Sequence, residues 1–301
     1  MLTVLDIVKR TTDFLGSKGI ESPRLTSELL IGHALGLKRM QLYVQFEKPL
    51  AEADLEKIRP LVRRRAQREP IQYIFGEIEW GGLKLKTDRR ALIPRPETEL
   101  LLEMLTERYQ AVKTLEVSES LPDGTSTPQR ILDLGTGTGA LALGLAKAFP
   151  EARVSAVDRS TDALALAREN AAALGLSERV EILESDWYSS LGDAGAAQGC
   201  AFDLIVANPP YLSADETAEA QPEVKAFEPT TALTAADDGL ADLRKIIIDA
   251  PRFLRIGGFL ALETGIAQHA RLTELALAVG LKDVESKKDL TGRDRFIFAR
   301  R

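Results

Sequence analysis

From Arg130 onward, strand-length apolar runs alternate with helical periods, and this alternation restricts the fold more than any other feature of the chain. Ile131–Leu134, Val154–Val157, Val180–Leu183, Leu204–Ala207 and Phe259–Glu263 read as strands, and Arg295–Ala299 as a last one. Between them the period becomes helical at Leu141–Ala148, Ala163–Leu174, Leu240–Phe253 and Ala267–Val279. Strands covered on both faces read as near-continuous apolar runs, and parallel neighbours need a long crossover, which a helix supplies. The pattern predicts an α/β fold with a doubly wound, mostly parallel sheet.

Residues 1–70 carry helical periods only. Val4, Leu5, Val8, Thr12 and Leu15 share one face of a first helix, which Gly19 ends. Ser22-Pro23 opens a second helix, with Leu25, Leu29, Leu30, His33 and Ala34 expected inside. Arg39–Phe46 forms a third short element, and Ala51–Arg68 a fourth with Leu55, Ile58, Leu61 and Val62 as its stripe and Pro60 within its span. Glu77–Trp80 and Leu83–Lys86 flank Gly81-Gly82, the signature of a β-hairpin with a two-glycine turn. The proline-stiffened loop Ile93–Glu99 leads into a helix over Leu100–Tyr109, while residues 116–129 and Gly192–Gly199 read as surface loops. The expected division is a helical domain over 1–70, a hairpin and linker over 71–99, and the α/β domain over 100–301.

The net charge of −6 narrows the partners. A protein that grips bare nucleic acid through its phosphates is more often basic, so the balance points to a protein or small-molecule substrate. A single cysteine, Cys200, and two histidines, His33 and His269, allow neither an internal disulfide nor a Cys/His metal cluster, and leave only a carboxylate site open. Cys200 reads as a loop thiol, His33 as a core-edge residue, and Arg63-Arg64-Arg65 as a solvated helix face. Met1–Arg10 mixes acid and base and lacks a long apolar core, so it does not read as a secretion signal. No run reaches transmembrane length, and the expected location is the cytoplasm.

Two motifs carry chemistry. Asp133-Leu134-Gly135-Thr136-Gly137-Thr138-Gly139-Ala140 follows the first strand of the alternating region and opens a helix. Its glycines permit a tight turn and close backbone approach to a ligand, and Asp158 at the end of the next strand is placed to accept both hydroxyls of an adenosine ribose. Spacing alone accommodates NAD and S-adenosylmethionine equally. Asp133 stands where a carboxylate meets the cationic end of an amino-acid-bearing cofactor. Asp186-Trp187, after the third strand, places an acceptor and an aromatic near an adenine, with core packing an equal reading for Trp187.

The second motif is Asn208-Pro209-Pro210-Tyr211, at the carboxyl end of the strand before it, where open α/β sheets bind ligands. Two prolines stiffen the backbone and remove two donors while leaving their carbonyls as acceptors. Oxygen acceptors beside an aromatic suit the holding of a planar NH2 group by its protons, its nitrogen aimed at an electrophile. Asn208 and Pro209 are the candidate acceptors, with Tyr211 packing on the substrate side chain to exclude water. An amide and an exocyclic adenine amine would both fit.

Together with Gly76, Ser185-Asp186-Trp187-Tyr188, Phe227-Glu228-Pro229 and the loop Ile93-Pro94-Arg95-Pro96-Glu97-Thr98-Glu99, these motifs resemble the PrmC/HemK family of N5-glutamine methyltransferases of peptide chain release factors. The resemblance spans nearly the whole chain; loop lengthenings at Thr114–Gln129 and Gly192–Cys200 depart from it without touching a motif residue. It implies a seven-stranded, Rossmann-like class I methyltransferase sheet over 100–301, a substrate-recognition role for the helical domain, and S-adenosylmethionine as cofactor. Asp133, Gly135, Thr136, Gly137, Thr138, Gly139, Asp158, Asp186, Trp187 and Asn208 are then the cofactor-binding residues, and Asn208, Pro209, Pro210, Tyr211, Arg95 and Glu97 the substrate side. No metal, membrane or direct nucleic-acid contact is implied, and the partner is a release factor. For Arg95 and Glu97 the competing reading is a salt bridge that stiffens a surface loop. Glu263 is expected at a helix cap or a solvated strand end. Glutamine methylation of a ribosomal protein and N6-adenine methylation of nucleic acid are the alternatives that share this chemistry.

Overall fold

The structure, a computed structural model, describes residues 2–115, 127–192 and 201–301. Most of the two expected surface loops, and Cys200, lie outside these residues. The chain divides into two compact units, one of Met1–Glu77 with Gln221–Phe227, the other of Ile78–Ala220 with Glu228–Arg301.

The first unit is helical: α1 (Val4–Ser17), α2 (Pro23–Leu35), α3 (Arg39–Val44), α4 (Glu52–Ala66) and α5 (Ile71–Phe75). A capping box starts α1, in which Thr3 Oγ1 accepts from the Asp6 amide at 3.2 Å and the Asp6 carboxylate accepts from the Thr3 amide at 2.9 Å. Pro60 sits inside α4 without ending it. The expected inner face of α2 is corrected. Leu25 and Leu29 are exposed at 41 and 36 %, and His33 is exposed, while Thr26, Ser27 and Glu28 are buried. Glu28 turns inward because Arg24 (3.0 Å), Arg39 (2.7 Å) and the Tyr43 hydroxyl (2.8 Å) all meet its carboxylate. Those hydrogen bonds hold its pKa below the ordinary carboxylate range against the cost of burial.

In the second unit β1 (Glu77–Trp80) and β2 (Leu83–Lys86) form the hairpin, Glu77 being the last residue of the first unit, and α6 (Pro96–Leu115) follows. The main sheet is built from β3 (Arg130–Leu134), α7 (Ala140–Ala148), β4 (Arg153–Asp158), α8 (Thr161–Ala173), β5 (Val180–Glu184) and β6 (Phe202–Ala207). The short α9 (Ala214–Glu219) follows; α10 (Pro222–Phe227) belongs to the first unit. A 3-10 turn at Thr230–Ala232 leads to α11 (Ala241–Phe253), β7 (Leu254–Glu263), α12 (His269–Ala278), β8 (Lys282–Lys288) and β9 (Asp294–Arg300).

The seven strands lie in the order β5-β4-β3-β6-β7-β9-β8. All neighbours are parallel except the pairs that β9 makes with β7 and β8. Side chains alternate between two cores, as period-2 geometry requires. Ile131, Leu204, Val206, Phe296 and Phe298 face a cluster with Trp80, Leu101 and Leu143, whereas Leu132, Leu134, Ile205, Leu260 and Ile297 face one with Leu243, Ile246 and Leu272. The sequence pattern shows no strand at β8, because Lys282–Lys288 is dominated by charged residues; it is the sheet edge, where charge guards an open ladder. The strand order reverses between β3 and β6, so their carboxyl ends open the crevice where such sheets bind ligands.

Candidate active site

The glycine loop continues the pairing of β3 with β4: the amides of Gly135 and Thr136 both donate to the Val157 carbonyl, at 2.8 and 2.9 Å. The amide of Gly137 then donates to Asp158 Oδ2 at 2.9 Å, and Asp158 Oδ1 accepts from the Ser160 amide at 2.9 Å. The acid paired with the loop by spacing is therefore bonded to it. At Gly139 φ is +85°, and a Cβ there would lie 3.1 Å from Leu143 and 3.3 Å from Ala167, so both backbone and space demand glycine. A Cβ on Gly135, where φ is +72°, would come within 3.2 Å of the Trp187 ring.

Asp133 is almost fully buried at the carboxyl end of β3. Its Oδ2 accepts from Thr136 Oγ1 at 2.6 Å and from the Ala142 amide at 3.1 Å. Burial pushes its carboxyl up to about 7, the nearby Asp158 charge adds to this, and the two hydrogen bonds act against it. Both bonds fall on one oxygen, and the carboxylate forms part of the cleft wall.

Trp187 has left-handed backbone (φ +53°), and its carbonyl accepts from Ser185 Oγ at 2.8 Å. Its indole N–H donates to Asp242 at 3.2 Å, a partner from α11 that no local pattern announces. The ring packs on the apolar cluster under α11 and also borders the cleft. Asp186 beside it is exposed and lines the cleft.

Beyond β6, Asn208 Nδ2 donates to Thr98 Oγ1 at 2.8 Å. Thr98 Oγ1 donates to Glu263 Oε2 at 2.6 Å, and the Tyr211 hydroxyl donates to Glu263 Oε1 at 3.1 Å. Glu263 is thus neither a cap nor a solvated end: it is fully buried, and both of its oxygens are engaged. Tyr211 packs on the second core, with the Arg295 guanidinium 5.6 Å from its ring centroid, and is not part of the cleft wall. Its hydroxyl is engaged by Glu263, a partner the motif alone does not announce. The loop is held from behind as well. Gln268 Nε2 donates to the Tyr211 carbonyl at 3.0 Å, and Leu212 pairs with Thr234 in an isolated bridge. A Cβ on Gly239 would collide with the Tyr211 carbonyl oxygen at 2.1 Å. Gln268 and Gly239 carry no motif, and sequence reasoning misses both.

Arg95 does not pair with Glu97. It donates to Glu228 Oε1 at 2.7 Å, and Glu228 Oε2 accepts from the Ile93 amide at 3.2 Å. The Arg95 carbonyl in turn accepts from Trp80 Nε1 at 2.9 Å, which ties the proline loop to the hairpin. Glu97 lies in the first turn of α6, outside the cleft wall. Arg90 at the cleft lies between Asp88 (2.8 Å) and Glu169 (2.7 Å), and hydrogen bonds from Arg90 and Lys86 hold Glu169 down at about 2.

The cleft encloses about 990 Å³, its open mouth included. Asp133, Gly135, Thr136, Gly137, Thr138, Asp158, Asp186, Trp187, Asn208, Pro210 and Arg95 line it; Gly139, Pro209, Tyr211 and Glu97 do not. Thr98, Ala91, Arg159 and Thr231 line it without having been expected to. The donor set fits an adenosine that carries an amino acid: a glycine cradle, a buried carboxylate at one end, a strand-end carboxylate and an indole at the other. His269 is a structural residue, its ring nitrogens 2.8 Å from Thr264 Oγ1 and from Ser286 Oγ, and burial holds its pKa low. Among the described residues no group of three or more His, Cys, Asp or Glu side chains is arranged to hold a metal ion, and no helix is long and apolar enough to cross a membrane.

Comparison with known proteins agrees with this architecture. A family model described as PrmC N-terminal domain matches residues 6–76, and one described as methyltransferase small domain matches residues 98–225. The chain is 44 % identical over 294 residues to the release factor glutamine methyltransferase of Chlorobaculum tepidum, covering 97 % of this chain and 95 % of that protein. It is 39 % identical over 280 residues to that of Escherichia coli K12, covering 93 % of each. Among solved structures, the hMettl16 catalytic domain in complex with MAT2A 3′UTR hairpin 6 has a TM-score of 0.55 at 16 % identity, covering 79 % of this chain and 80 % of that one. T. thermophilus 16S rRNA N2 G1207 methyltransferase (RsmC), in complex with AdoMet and guanosine, has a TM-score of 0.50 at 21 % identity, over 75 % of this chain and 49 % of that one. These two likenesses speak to the fold. The relatives matched over nearly their whole length decide the rest: the chain belongs to the release factor glutamine methyltransferase family.

Proposed function

We propose that this enzyme transfers a methyl group from S-adenosylmethionine to the side-chain amide nitrogen, N5, of the glutamine in the Gly-Gly-Gln motif of peptide chain release factors. The observation that carries the reading is the turn after β6, whose Asn208 and Pro210 share one cleft with the glycine loop across the switch point of the sheet. Bound S-adenosylmethionine supplies an electrophilic methyl carbon on a sulfonium with a neutral leaving group.

The chain's own residues bind and aim. Asp133 takes the ammonium of the amino-acid end, Asp158 the ribose hydroxyls, and Asp186 and Trp187 the adenine, with Gly135–Gly139 as the cradle. Asn208 Oδ1 and the Pro209 carbonyl accept the two protons of the substrate amide. A carboxamide nitrogen is a weak nucleophile, so alignment matters most, and it contributes about 7–11 kcal/mol in favourable cases. The same acceptors stabilise positive charge as the nitrogen alkylates. One N–H proton leaves to solvent after transfer, so no histidine base is needed. Pro210, Arg95 and Glu97 shape the substrate side, and Tyr211 stiffens it from behind.

The helical unit supplies recognition of the protein partner, the acidic balance disfavours direct nucleic-acid contact, and the release factor places the enzyme in the cytoplasm. The test is a labelled methyl-transfer assay offering release factor, ribosomal protein and DNA. Label on the release factor that disappears when its target Gln becomes Ala supports the reading; label on DNA alone overturns it. Asn208→Ala is expected to abolish transfer while S-adenosylmethionine binding largely survives, and undiminished turnover would remove Asn208 from its role.

A further inference from the structure

We propose that Thr98 and Glu263 are positioning residues whose hydrogen-bond chain decides which end of the Asn208 carboxamide faces the cleft. The inference rests on the reading of Asn208 Oδ1 as the acceptor of the substrate amide. Asn208 is useful only if it presents oxygen. Turned over, it would present an NH2 group to the NH2 group it has to hold, and the acceptor for the developing positive charge would be gone.

The chain fixes this orientation by counting protons. Thr98 Oγ1 is 2.6 Å from Glu263 Oε2 and 2.8 Å from Asn208 Nδ2. A hydroxyl has one proton to give, and an ionised carboxylate only accepts. The Thr98 proton therefore goes to Glu263, its lone pair is left for Asn208, and only the NH2 end of the carboxamide can meet a lone pair. Tyr211 donates to the other carboxylate oxygen, so Glu263 receives two donors on two oxygens, which suits the charged form. Thr98 and Glu263 are 5 and 0 % exposed, so exchange with water cannot readily reset the chain.

Protonation of Glu263 reverses it. A proton on Oε2 would be given to Thr98 Oγ1, and the Thr98 proton would turn to Asn208. The carboxamide oxygen would then swing inward to accept it, and Nδ2 would face the cleft. The groups around Glu263 come from several elements: Thr98 and Glu97 from the first turn of α6, Tyr211 from the loop after β6, and Arg295 from β9. Burial raises the pKa of Glu263, as does Glu97, while the two hydrogen bonds and Arg295 lower it, with burial prevailing. Methyl transfer is accordingly at full rate above the pKa of Glu263 and is lost as pH falls through it. Such a charge at the end of a central strand costs stability that an apolar side chain would not, which favours a positioning role over packing.

The test follows the single-turnover rate of methyl transfer to release factor, at saturating cofactor, across acidic to neutral pH. Thr98→Val is expected to slow transfer on the order of 10–100-fold, somewhat less than the loss of a direct transition-state contact. Thr98→Ser, which keeps the hydroxyl, retains most of the rate. Glu263→Gln can turn either end to Thr98, so the rate falls and the acid limb of the profile disappears. Calorimetric affinity for S-adenosylmethionine stays at the wild-type value in all three, which separates mis-aiming from misfolding. Should Thr98→Val lose cofactor binding, the acid limb of the wild type and its absence in Glu263→Gln decide alone. A wild-type rate in Thr98→Val, or an unmoved acid limb in Glu263→Gln, overturns the proposal. Undiminished transfer in Asn208→Ala would instead overturn the reading beneath it, so the two failures are distinct.

Discussion

Asp133 gives the sharpest test of the cofactor half of the site. Its carboxyl, pushed up to about 7 by burial, is only part-ionised near neutral pH in the free enzyme. An ammonium placed against it binds the ionised form, so the apparent dissociation constant grows as the ionised fraction shrinks. At about pH 6 roughly one molecule in eleven carries the charge, so S-adenosylmethionine should bind about tenfold more weakly than the ionised form allows, a difference of about 1.4 kcal/mol. The direction is fixed: affinity rises with pH through about 7 and then levels, until the ligand's own amine begins to lose its proton at about 7.7–8.0. Isothermal titration calorimetry over that window measures it directly. Asp133→Asn keeps an acceptor for Thr136 Oγ1 but has no charge to titrate, so its affinity should be weaker and nearly independent of pH. 5′-Methylthioadenosine, which lacks the amino-acid end, should bind the wild type equally across the window. Constant wild-type affinity for S-adenosylmethionine between about pH 6 and 7.5, or the same slope in Asp133→Asn, would refute the placement of the ammonium at Asp133.

Two further perturbations test the frame around the site. Arg95→Ala leaves the buried Glu228 carboxylate with the Ile93 amide alone, and should cost about 1–3 kcal/mol in urea denaturation. Adding Glu228→Gln should restore part of that loss, and strict additivity of the two changes would count against the pair. Gly139→Ala forces an L-residue to φ +85° with its Cβ 3.1 Å from Leu143 and 3.5 Å from the Ala167 backbone, so a loss of about 1–3 kcal/mol is expected; an unchanged denaturation midpoint would contradict the crowding.

What could be read from the sequence was what the backbone demands locally. Gly139 must be glycine because of its own φ and its own neighbours, and Asp158 ends the strand beside the one that feeds the loop. Both leave a trace at fixed spacing. The hairpin, the alternation of strand and helix, and the stiff turn after β6 are of the same kind. The misreadings are also of one kind: a polar side chain whose partner is remote in the chain. Glu263 looks like a strand end because Thr98 lies 165 residues before it and Tyr211 52 before it. Arg95 invites pairing with Glu97, two residues on, yet finds Glu228, 133 residues away. Leu25 and Leu29 are expected inside α2, yet Glu28 takes the inner face because Arg39 and Tyr43, 11 and 15 residues on, bond to its carboxylate. The charged strand β8 escapes because an edge is defined by what fails to pair with it.

The two kinds of information bear on the site unequally. Asn208-Pro209-Pro210-Tyr211 names the atoms that could hold an amide, but a carboxamide has two ends of nearly equal size and opposite chemistry. Nothing in the tetrapeptide chooses between them. The choice is made by Thr98 on α6 and Glu263 on β7, and Tyr211 returns to the same carboxylate from the motif itself. If that carboxylate sets the polarity, the tyrosine of the motif owes its place to Glu263 rather than to the substrate. Tyr211→Phe should then act like a mild form of Glu263→Gln. It removes one of the two donors that favour the charged carboxylate, so the acid limb of methyl transfer should move to higher pH while the rate well above it changes little. A Tyr211→Phe enzyme slowed equally at every pH would mean that the hydroxyl acts on something other than the charge of Glu263.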